Sequence, residues 1–228
     1  MYKFWATLFD TFHYYQSVDS EDGLQKLLDS INKVSFKSEA ASKGTAFNEL
    51  IDKAINDVSV YDRLRNYTAK ELTYEFTDRD GSVSKIVFPT LIVKEFVEYF
   101  KGSVNQLYVE AKIETMLGDV LLYGYVDEIK RDWIYDIKTT GRYDLFKFAD
   151  HYQHLVYPYC LEAQNMPIHN FRYYITDFKE TFYEDYIFAP KRDIPRLKSA
   201  CMEIIEFIER PEIKSKITNK KLFGNENT

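Results

Sequence analysis

Two short segments of the chain combine two carboxylates and one ammonium group at a spacing that neighbouring strands can bring together. GYVDE occupies residues 124–128, and IYDIKTT occupies residues 134–140. Residues i and i+2 of a strand point to the same face, so Asp136 and Lys138 are expected to project together. A tight turn of about three residues between the two strands would place Asp127 alongside Asp136. Two carboxylates and one ammonium group would then converge at the end of a sheet.

Hydrolysis of a phosphodiester bond requires such a set. Carboxylate oxygens bind Mg²⁺ or Mn²⁺, and water fills the remaining positions. The metal lowers the pKa of a bound water and polarises the phosphoryl oxygen. A lysine can position that water or help to deprotonate it, and it can offset developing charge. A D-x-K triplet alone is common by chance, and an aspartate in a strand often faces solvent. Burial of Asp136 between Tyr135 and Ile137 favours the chemical interpretation, because a buried carboxylate needs a partner.

Two further segments carry polar residues at positions where helices are predicted. GTAFNE at residues 44–49 contains Asn48, and QHLVY at residues 153–157 begins with Gln153 and ends with Tyr157. Residues i and i+4 share one face of a helix, so Gln153 and Tyr157 are expected to point together toward the end of the sheet. Taken alone, this second segment would be interpreted as a buried helix face with its tyrosine in the core.

Together the four segments resemble the PD-(D/E)XK nuclease superfamily, in particular the branch of the RecB-type nuclease domain, lambda-type exonuclease and CRISPR-associated exonucleases. The resemblance covers about residues 40–190 and implies a restriction-endonuclease-like core with Mg²⁺ or Mn²⁺ as cofactor. The implied catalytic residues are Asp127, Asp136 and Lys138. The implied metal ligands are Asn48, Asp127, Asp136 and the carbonyl of Ile137. The residues implied to contact nucleic acid, or the water bound to the metal, are Gln153 and Tyr157.

Position 48 departs from the pattern of this superfamily, which usually has His or Glu there. An Asn binds metal through its amide oxygen more weakly than a carboxylate does. Glu49 is adjacent, but neighbouring residues on a helix point about 100° apart. Two alternatives follow: the site binds metal through two carboxylates and the Ile137 carbonyl, or its metal affinity is reduced.

Other polar residues give weaker signals. Glu110 and Glu114 fit a polar sheet face, and Glu128 is expected to point away from Asp127. No phosphate-binding Gly-x-x-x-x-Gly-Lys-Ser/Thr motif occurs. The four histidines share no metal-binding spacing: His13, His151, His154 and His169. The two cysteines, Cys160 and Cys201, are too few for an iron–sulfur cluster, which takes four thiolates.

The hydrophobic periodicity predicts an α/β fold: a central mixed β-sheet flanked by helices, with an extra β-hairpin. We predict one domain, residues 1–228, with a core at about 40–190, an N-terminal helical segment at 1–37, and a C-terminal helix and tail at 192–228. Predicted helices are 3–16, 24–32, 44–57, 89–100, 144–164 and 192–209. Predicted strands are 106–116, 119–129, 132–139, 170–177 and 182–189, with the hairpin at 71–88 around Asp80 and Gly81.

Composition narrows the class of protein. The 228 residues carry a net charge of −6, which argues mildly against a nucleic-acid partner, although a nuclease site is itself acidic. Aromatic residues make up 17%, and we expect most of these rings in the core. No stretch of 18 apolar residues occurs, so we predict that the chain does not span a membrane. A cytoplasmic location is the simplest expectation. The basic residues near the end are compatible with contact to DNA, but a solvated, frayed tail is the preferred interpretation: Lys214, Lys216, Lys220 and Lys221.

Three functions remain open at this point. The first is a stand-alone DNA exonuclease or end-processing enzyme of recombination or repair, as in phages, acting on linear double-stranded ends beside a single-strand annealing partner. The second is a DNA-binding protein that retains the fold without activity, which Asn48 and the acidic charge favour. The third is a site-specific endonuclease. Some members of the superfamily form rings, so a homo-oligomer is compatible with the resemblance.

Overall fold

Six strands of the chain form one mixed sheet, and a separate hairpin lies beside it. The computed structural model describes residues 1–18, 21–34, 38–78 and 81–224. The strands are β1 Tyr2–Trp5, β2 Glu71–Thr77, β3 Val83–Pro89, β4 Val104–Thr115, β5 Gly118–Lys130, β6 Trp133–Thr139, β7 Asn170–Thr176 and β8 Thr181–Ile187. The helices are α1 Ala6–Ser17, α2 Glu21–Ile31, α3 Glu39–Asn56, α4 Val58–Asn66, α5 Thr90–Phe100, α6 Gln153–Ala163, α7 Pro190–Ile208 and α8 Pro211–Lys214, followed by a 3-10 turn at Lys220–Phe223.

The order of strands across the sheet is β1-β5-β6-β7-β8, with β4 on the opposite edge of β5. The pairs β1/β5 and β6/β7 are parallel, and the remaining pairs are antiparallel. On its second edge, β5 pairs with β1 from Val120 to Tyr123 and with β6 from Glu128 to Lys130. Residues 124–127 lie between these two ladders. The predicted segment GYVD therefore occupies a break in the pairing of the sheet.

Two apolar clusters cover the two faces of the sheet. The larger cluster packs α1, α6 and α7 against one face, and the smaller packs α3, α5 and the β2/β3 hairpin against the other. Alternation along β6 divides its side chains: Ile134 belongs to the larger cluster, and Tyr135 and Ile137 belong to the smaller. The helices on both sides thus bury the sheet, and the predicted mixed sheet flanked by helices with an extra hairpin is confirmed.

The chain packs α3 unusually close to the end of β6. The helix begins after Ser38, whose Oγ accepts a hydrogen bond from the Ala41 amide at 3.0 Å, and its apolar stripe of Phe47, Leu50 and Ile51 is buried. A Cβ at Gly44 would lie 2.7 Å from Oγ1 of Thr139. Glycine at position 44 is therefore what lets the helix that carries Asn48 approach β6.

The outer edge of β4 is capped by side chains of α6 and of the residue that follows it. The hydroxyl of Tyr159 donates to the carbonyl oxygen of Lys112 at 2.8 Å, and the Gln164 amide donates to that of Glu110 at 3.2 Å. These carbonyl groups would otherwise be free to pair with another strand.

Several predicted boundaries were wrong. Residues 2–5 form β1 instead of the start of a helix, because they pair with β5. The helix predicted at 144–164 begins only at Gln153, since residues 141–152 form turns held by contacts with β8. The short helix α4 was missed, although Asp57 caps it by accepting from the amides of Ser59 and Val60.

The C-terminal residues correct the expectation of a frayed tail. Ile213, Ile217 and Leu222 are buried in the larger cluster, and Gly224 lies against the backbone of Met1. The lysines of this stretch therefore sit on a packed segment. Asp80 and residues 225–228 lie outside the described residues. None of the described helices is long and apolar enough to cross a membrane.

Candidate active site

The candidate site lies where β5 and β6 diverge. Their ladder runs from Lys130↔Trp133 to Glu128↔Tyr135 and then stops. Beyond it, Oδ2 of Asp127 accepts a hydrogen bond from the Ile137 amide at 2.9 Å. A side-chain carboxylate therefore satisfies a strand amide that the ladder leaves open. This contact fixes Asp127 beside the strand that carries Asp136 and Lys138, as the spacing of the two segments predicted.

Asp136, Lys138 and Gln153 form a closed polar network. Asp136 is 2% exposed, and its Oδ2 lies 2.7 Å from Nζ of Lys138. Lys138 also donates to Oε1 of Gln153 at 2.7 Å, and Nε2 of Gln153 donates to Oδ1 of Asp136. The amide of Gln153 thus faces the ammonium group with its oxygen and the carboxylate with its nitrogen. The first residue of α6 fixes both catalytic candidates of β6.

Tyr157 lies one turn further along α6 and supports Gln153. Its hydroxyl is 3.4 Å from Nε2 of Gln153, and its ring packs against Gly124 of β5. Both side chains of α6 are buried. They contact the candidate catalytic residues from within the protein, and their contact with nucleic acid stays a prediction.

Burial perturbs the carboxyl groups of the site, and the charge of Asp136 adds to the effect on Asp127. Burial, followed by the charge of Asp136, raises the pKa of Asp127 to about 8. Burial also raises the pKa of Asp136, against the opposing effects of Lys138 and Gln153. Burial alone would lower the pKa of Lys138, but the carboxylates of Asp136, Asp127 and Asp10 raise it above its ordinary value. Lys138 is therefore an ammonium group at neutral pH, and it can donate but not accept a proton.

Asp10 of α1 belongs to the site, and sequence reasoning missed it. Its Oδ1 accepts from the amide of Tyr152, the residue that precedes α6, at 2.6 Å, and its Oδ2 lies 3.4 Å from Nδ1 of His151. Burial raises the pKa of Asp10 to about 7, and the nearby charge of Asp136 adds to this, while the Tyr152 amide and Lys138 oppose it. The available signal was one acid within the apolar segment FWATLFDTF at residues 4–12.

His151 is neutral in this arrangement. Burial, followed by the charge of Lys138, lowers its pKa to about 4. Its contact with Asp10 is therefore not an ion pair, and its ring packs edge-on against the rings of Phe148 and Tyr173.

The α3 side of the site holds Asn48 and a second group of acids. Oδ1 of Asn48 is buried and has no hydrogen-bond partner within the described part of the chain. Glu49 bonds to Nζ of Lys53 and to the hydroxyl of Tyr74, both at 2.6 Å, which holds it toward the hairpin. Asp52, one turn beyond Asn48, lies close enough to raise the pKa of Asp127.

Glu128 is more closely involved than the sequence indicated. It is fully buried, and Oγ of Ser103 donates to its Oε2 at 2.5 Å. Burial raises its pKa to about 8, and the charges of Asp52 and Asp127 add to this. Glu128 and Asp52 thus form an acidic layer behind Asp127, on the side of α3.

The donor set fits a hard divalent cation. Within the described ranges, no group of three or more His, Cys, Asp or Glu side chains is arranged to hold a metal ion. The available donors are instead the carboxylates of Asp127 and Asp136, the Ile137 carbonyl and the amide oxygen of Asn48, which are oxygen ligands of the type that Mg²⁺ binds. A cation would offset the burial and the charge of Asp136 that together raise the pKa of Asp127, and it would satisfy the unpaired oxygen of Asn48.

Comparison with known proteins adds little to this geometry. No protein-family model matches the chain, and no curated protein matches it. Among solved structures, the crystal structure of SSO0001 is 12% identical with a TM-score of 0.41, over 87% of this chain and 91% of that chain. S. pombe Rai1 is 13% identical with a TM-score of 0.27, over 84% of this chain and 69% of that chain. Similarity at this level carries no functional argument.

Proposed function

We propose that the protein is a metal-dependent DNA nuclease that hydrolyses phosphodiester bonds. The observation that supports this most strongly is the Asp136–Lys138–Gln153 network, with Asp127 fixed beside it at the break between β5 and β6. A structural role alone leaves unexplained why two carboxyl groups with raised pKa values lie on neighbouring strands at the point where their ladder stops. Perturbed carboxyl groups of this kind are frequent at functional sites.

Each residue has a defined part in the proposed reaction. Asp127, Asp136, the Ile137 carbonyl and Asn48 would hold Mg²⁺ or Mn²⁺, which when bound supplies Lewis acidity and a more acidic water. Lys138, held as an ammonium group, orients the attacking water and offsets negative charge that develops on the phosphoryl oxygens. Gln153 holds the side chains of Lys138 and Asp136 in position through its two hydrogen bonds, and Tyr157 holds Gln153 in place.

The substrate we propose is linear double-stranded DNA, processed from an end during recombination or repair in the cytoplasm. A partner that anneals single strands and a homo-oligomeric assembly are part of this hypothesis. The second candidate function is a DNA-binding protein with weak or no catalysis. The amide at position 48 and the net charge of −6 favour it. A site-specific endonuclease is the third.

Incubation of linear and circular DNA with Mg²⁺, with Mn²⁺ and with EDTA tests the proposal. We expect metal-dependent shortening of linear DNA. Asp136→Asn and Lys138→Ala should each lower the rate at least about a hundredfold. Asp119→Asn is the matched control, because Asp119 also lies on β5 but pairs with Lys112 at the surface.

The outcomes separate the three candidates. Defined fragments from circular DNA would indicate an endonuclease, and tight DNA binding without cleavage would indicate a binding protein. If neither DNA is cut and calorimetry detects no metal binding, the enzyme proposal is wrong. Full activity of both site variants would refute the assignment of the residues. An unchanged midpoint of thermal unfolding is required before any loss is attributed to chemistry.

A further inference from the structure

The mixed sheet ends in three outer strands, and other parts of the chain cover two of them. The side chains of Tyr159 and Gln164 close the middle of β4, and the C-terminal 3-10 turn packs against β1. The third outer strand is β8, and no described strand pairs with its far side. Two of its large side chains lie in solvent, with Tyr183 61% exposed and Ile187 65% exposed. Within the described residues, β8 is therefore the open edge of the sheet.

The ladder between β7 and β8 decides which backbone groups face outward. The carbonyl oxygen of Thr176 accepts from the Thr140 amide on the β6 side at 3.0 Å, so Thr176 does not exchange hydrogen bonds with its β8 partner, Thr181. Bonded and non-bonded pairs alternate along an antiparallel ladder. The backbone groups of Thr181, Tyr183 and Asp185 therefore point away from β7.

The strand β8 lacks the features that usually keep an open edge from pairing. Its sequence, TFYEDYI, has neither lysine nor proline, and its register with β7 runs without a bulge from Thr181 to Ile187. Natural sheets use lysines, prolines and bulges at exposed edges to prevent association. At the end of the strand, the carbonyl oxygen of Ile187 accepts from the guanidinium of Arg192 at 2.7 Å. The edge from Thr181 to Asp185 is thus the part that another strand can reach.

The two acids of β8 are compensated within the chain. Asp185 accepts two hydrogen bonds from Arg172, at 2.6 and 2.8 Å, and the same guanidinium lies 4.4 Å from the centre of the Tyr183 ring. Glu184 is 4% exposed, and its carboxylate accepts from the Phe148 amide at 3.2 Å. The open edge therefore presents a tyrosine ring beside acids that other parts of the chain already hold.

We propose that β8 pairs antiparallel with β8 of a second copy of this chain, about a two-fold axis beside Tyr183. A second copy brings a strand of the same length with the same open donors and acceptors, so each group meets its complement. Because the acids are compensated on both strands, charge does not oppose the approach. A two-fold contact of this kind closes on itself and stops at the dimer. The inference goes beyond the proposed nuclease chemistry and does not depend on it.

Charge selects the register of the pair. Three registers join the outward-facing groups and overlap most of the strand, with the axis at Tyr183, Glu184 or Asp185. The second and third set an acid opposite its own copy, and like charges directly opposite each other destabilise a strand pair. The first sets the two Tyr183 rings opposite each other and places Asp185 opposite Thr181 of the second copy. Aromatic pairs stabilise such contacts, so we assign the axis to Tyr183.

Sedimentation equilibrium from about 1 to about 100 µM tests the dimer. We expect the mass of the wild type to approach twice that of one chain. Tyr183→Lys sets two ammonium groups opposite each other and should raise the dissociation constant at least about tenfold. Tyr125→Lys is the matched control, since Tyr125 is 57% exposed on β5, which β6 and β7 separate from β8.

A cysteine pair tests the register without relying on that variant. In the proposed dimer the two Cα atoms of position 183 lie about 5.5 Å apart, within reach of a disulfide. Those of position 187 lie about 26 Å apart, because eight residues at about 3.3 Å each separate them along the strands. Mild oxidation should therefore link Tyr183→Cys into a covalent dimer and leave Ile187→Cys unlinked. The native Cys160 and Cys201 are buried.

Hydrogen exchange locates the interface at single amides. The outward amides of Thr181, Tyr183 and Asp185 should exchange at least about tenfold more slowly in concentrated than in dilute protein. A single chain at about 100 µM would overturn the proposal. A dimer that Tyr183→Lys leaves unchanged, or one that links through position 187 and not 183, would also overturn it. These measurements contain neither DNA nor metal, so failure of the nuclease leaves the dimer standing, and a monomer leaves the nuclease proposal untouched.

Discussion

Tyr157 occupies the space that any side chain at position 124 would need, because a Cβ on Gly124 would lie 2.7 Å from its Cε1. The two residues belong to β5 and α6, which carry opposite sides of the candidate site. Glycine at this position therefore sets how close α6 comes to the break in the sheet. Tyr157 in turn determines where Gln153 lies.

Gly124→Ala should displace Tyr157 and with it the amide that joins Asp136 to Lys138. We expect the rate of DNA cleavage to fall roughly tenfold to a hundredfold, as misplacement of a catalytic group does. The free energy of unfolding should fall by about 1–3 kcal/mol from overpacking. Gly141→Ala is the control, because its Cβ would meet nothing within 4 Å. Equal rates for the two variants would contradict the role given to Gly124.

Asp10 is expected to act through the position of α6. Asp10→Ala removes the acceptor of the Tyr152 amide and should cost about 1–2 kcal/mol in the free energy of unfolding. We expect the cleavage rate to fall about tenfold as Gln153 moves. Asp10→Asn keeps an oxygen at Oδ1 and should retain most of the activity. If the Asn variant is as poor as the Ala variant, the charge of Asp10 matters and the positioning role is wrong.

Asn48 offers a test of metal binding that is separate from folding. Its buried Oδ1 has no partner among the described residues, so Asn48→Leu removes an unsatisfied acceptor and should not destabilise the fold. If Asn48 binds the metal, the Mg²⁺ concentration needed for half-maximal cleavage should rise roughly tenfold. Unchanged metal dependence would remove Asn48 from the ligand set. Glu49→Gln is the control, since Glu49 faces Lys53 and Tyr74.

The stability of the metal-free protein should fall as pH rises. The pKa of Asp127 is raised to about 8 and that of Asp10 to about 7, whereas in the unfolded chain both are near 4. Between these values the folded protein retains protons that the unfolded chain has released, so raising pH favours unfolding. Urea denaturation in EDTA from about pH 5 to about pH 8 measures this slope.

Asp127→Asn should make the decrease of stability with rising pH shallower, because the variant lacks one of the protons that the folded protein retains. Added Mg²⁺ should stabilise the wild type more at the alkaline end, since the metal binds the ionised carboxylate. A profile that is flat in EDTA, and the same in the variant, would contradict the raised pKa of Asp127.

Much of the sheet followed from sequence because its signals are local. Alternation marked β4 to β8, and the i, i+2 rule placed Asp136 with Lys138. The strand β1 could not be found in this way. Its residues, YKFW, are mostly apolar like the helix that follows, and only pairing with a segment more than 100 residues away makes them a strand.

The site was predicted where its residues are close in sequence or share a helix face. Asp127, Asp136, Lys138, Gln153 and Tyr157 converge as the motif spacing indicated. Asp10 was missed for a different reason, because its position depends on how α1 packs on the sheet and no periodicity within that segment records the packing. Glu128 was considered and given no role, because its contacts with Ser103 and Asp52 come from segments distant in sequence.

The cap on the outer edge of β4 gives α6 a second consequence, for aggregation. A bare edge strand of this length would present a template for other chains. Tyr159 and Gln164 close its middle by occupying the carbonyl oxygens of Lys112 and Glu110. The first residue of α6, Gln153, thus contacts the candidate site, and residues at the other end of the helix cover the edge of the sheet. Loss of the Tyr159 or Gln164 side chain should therefore appear first as self-association, with the Asp136–Lys138–Gln153 network still intact in the remaining monomer.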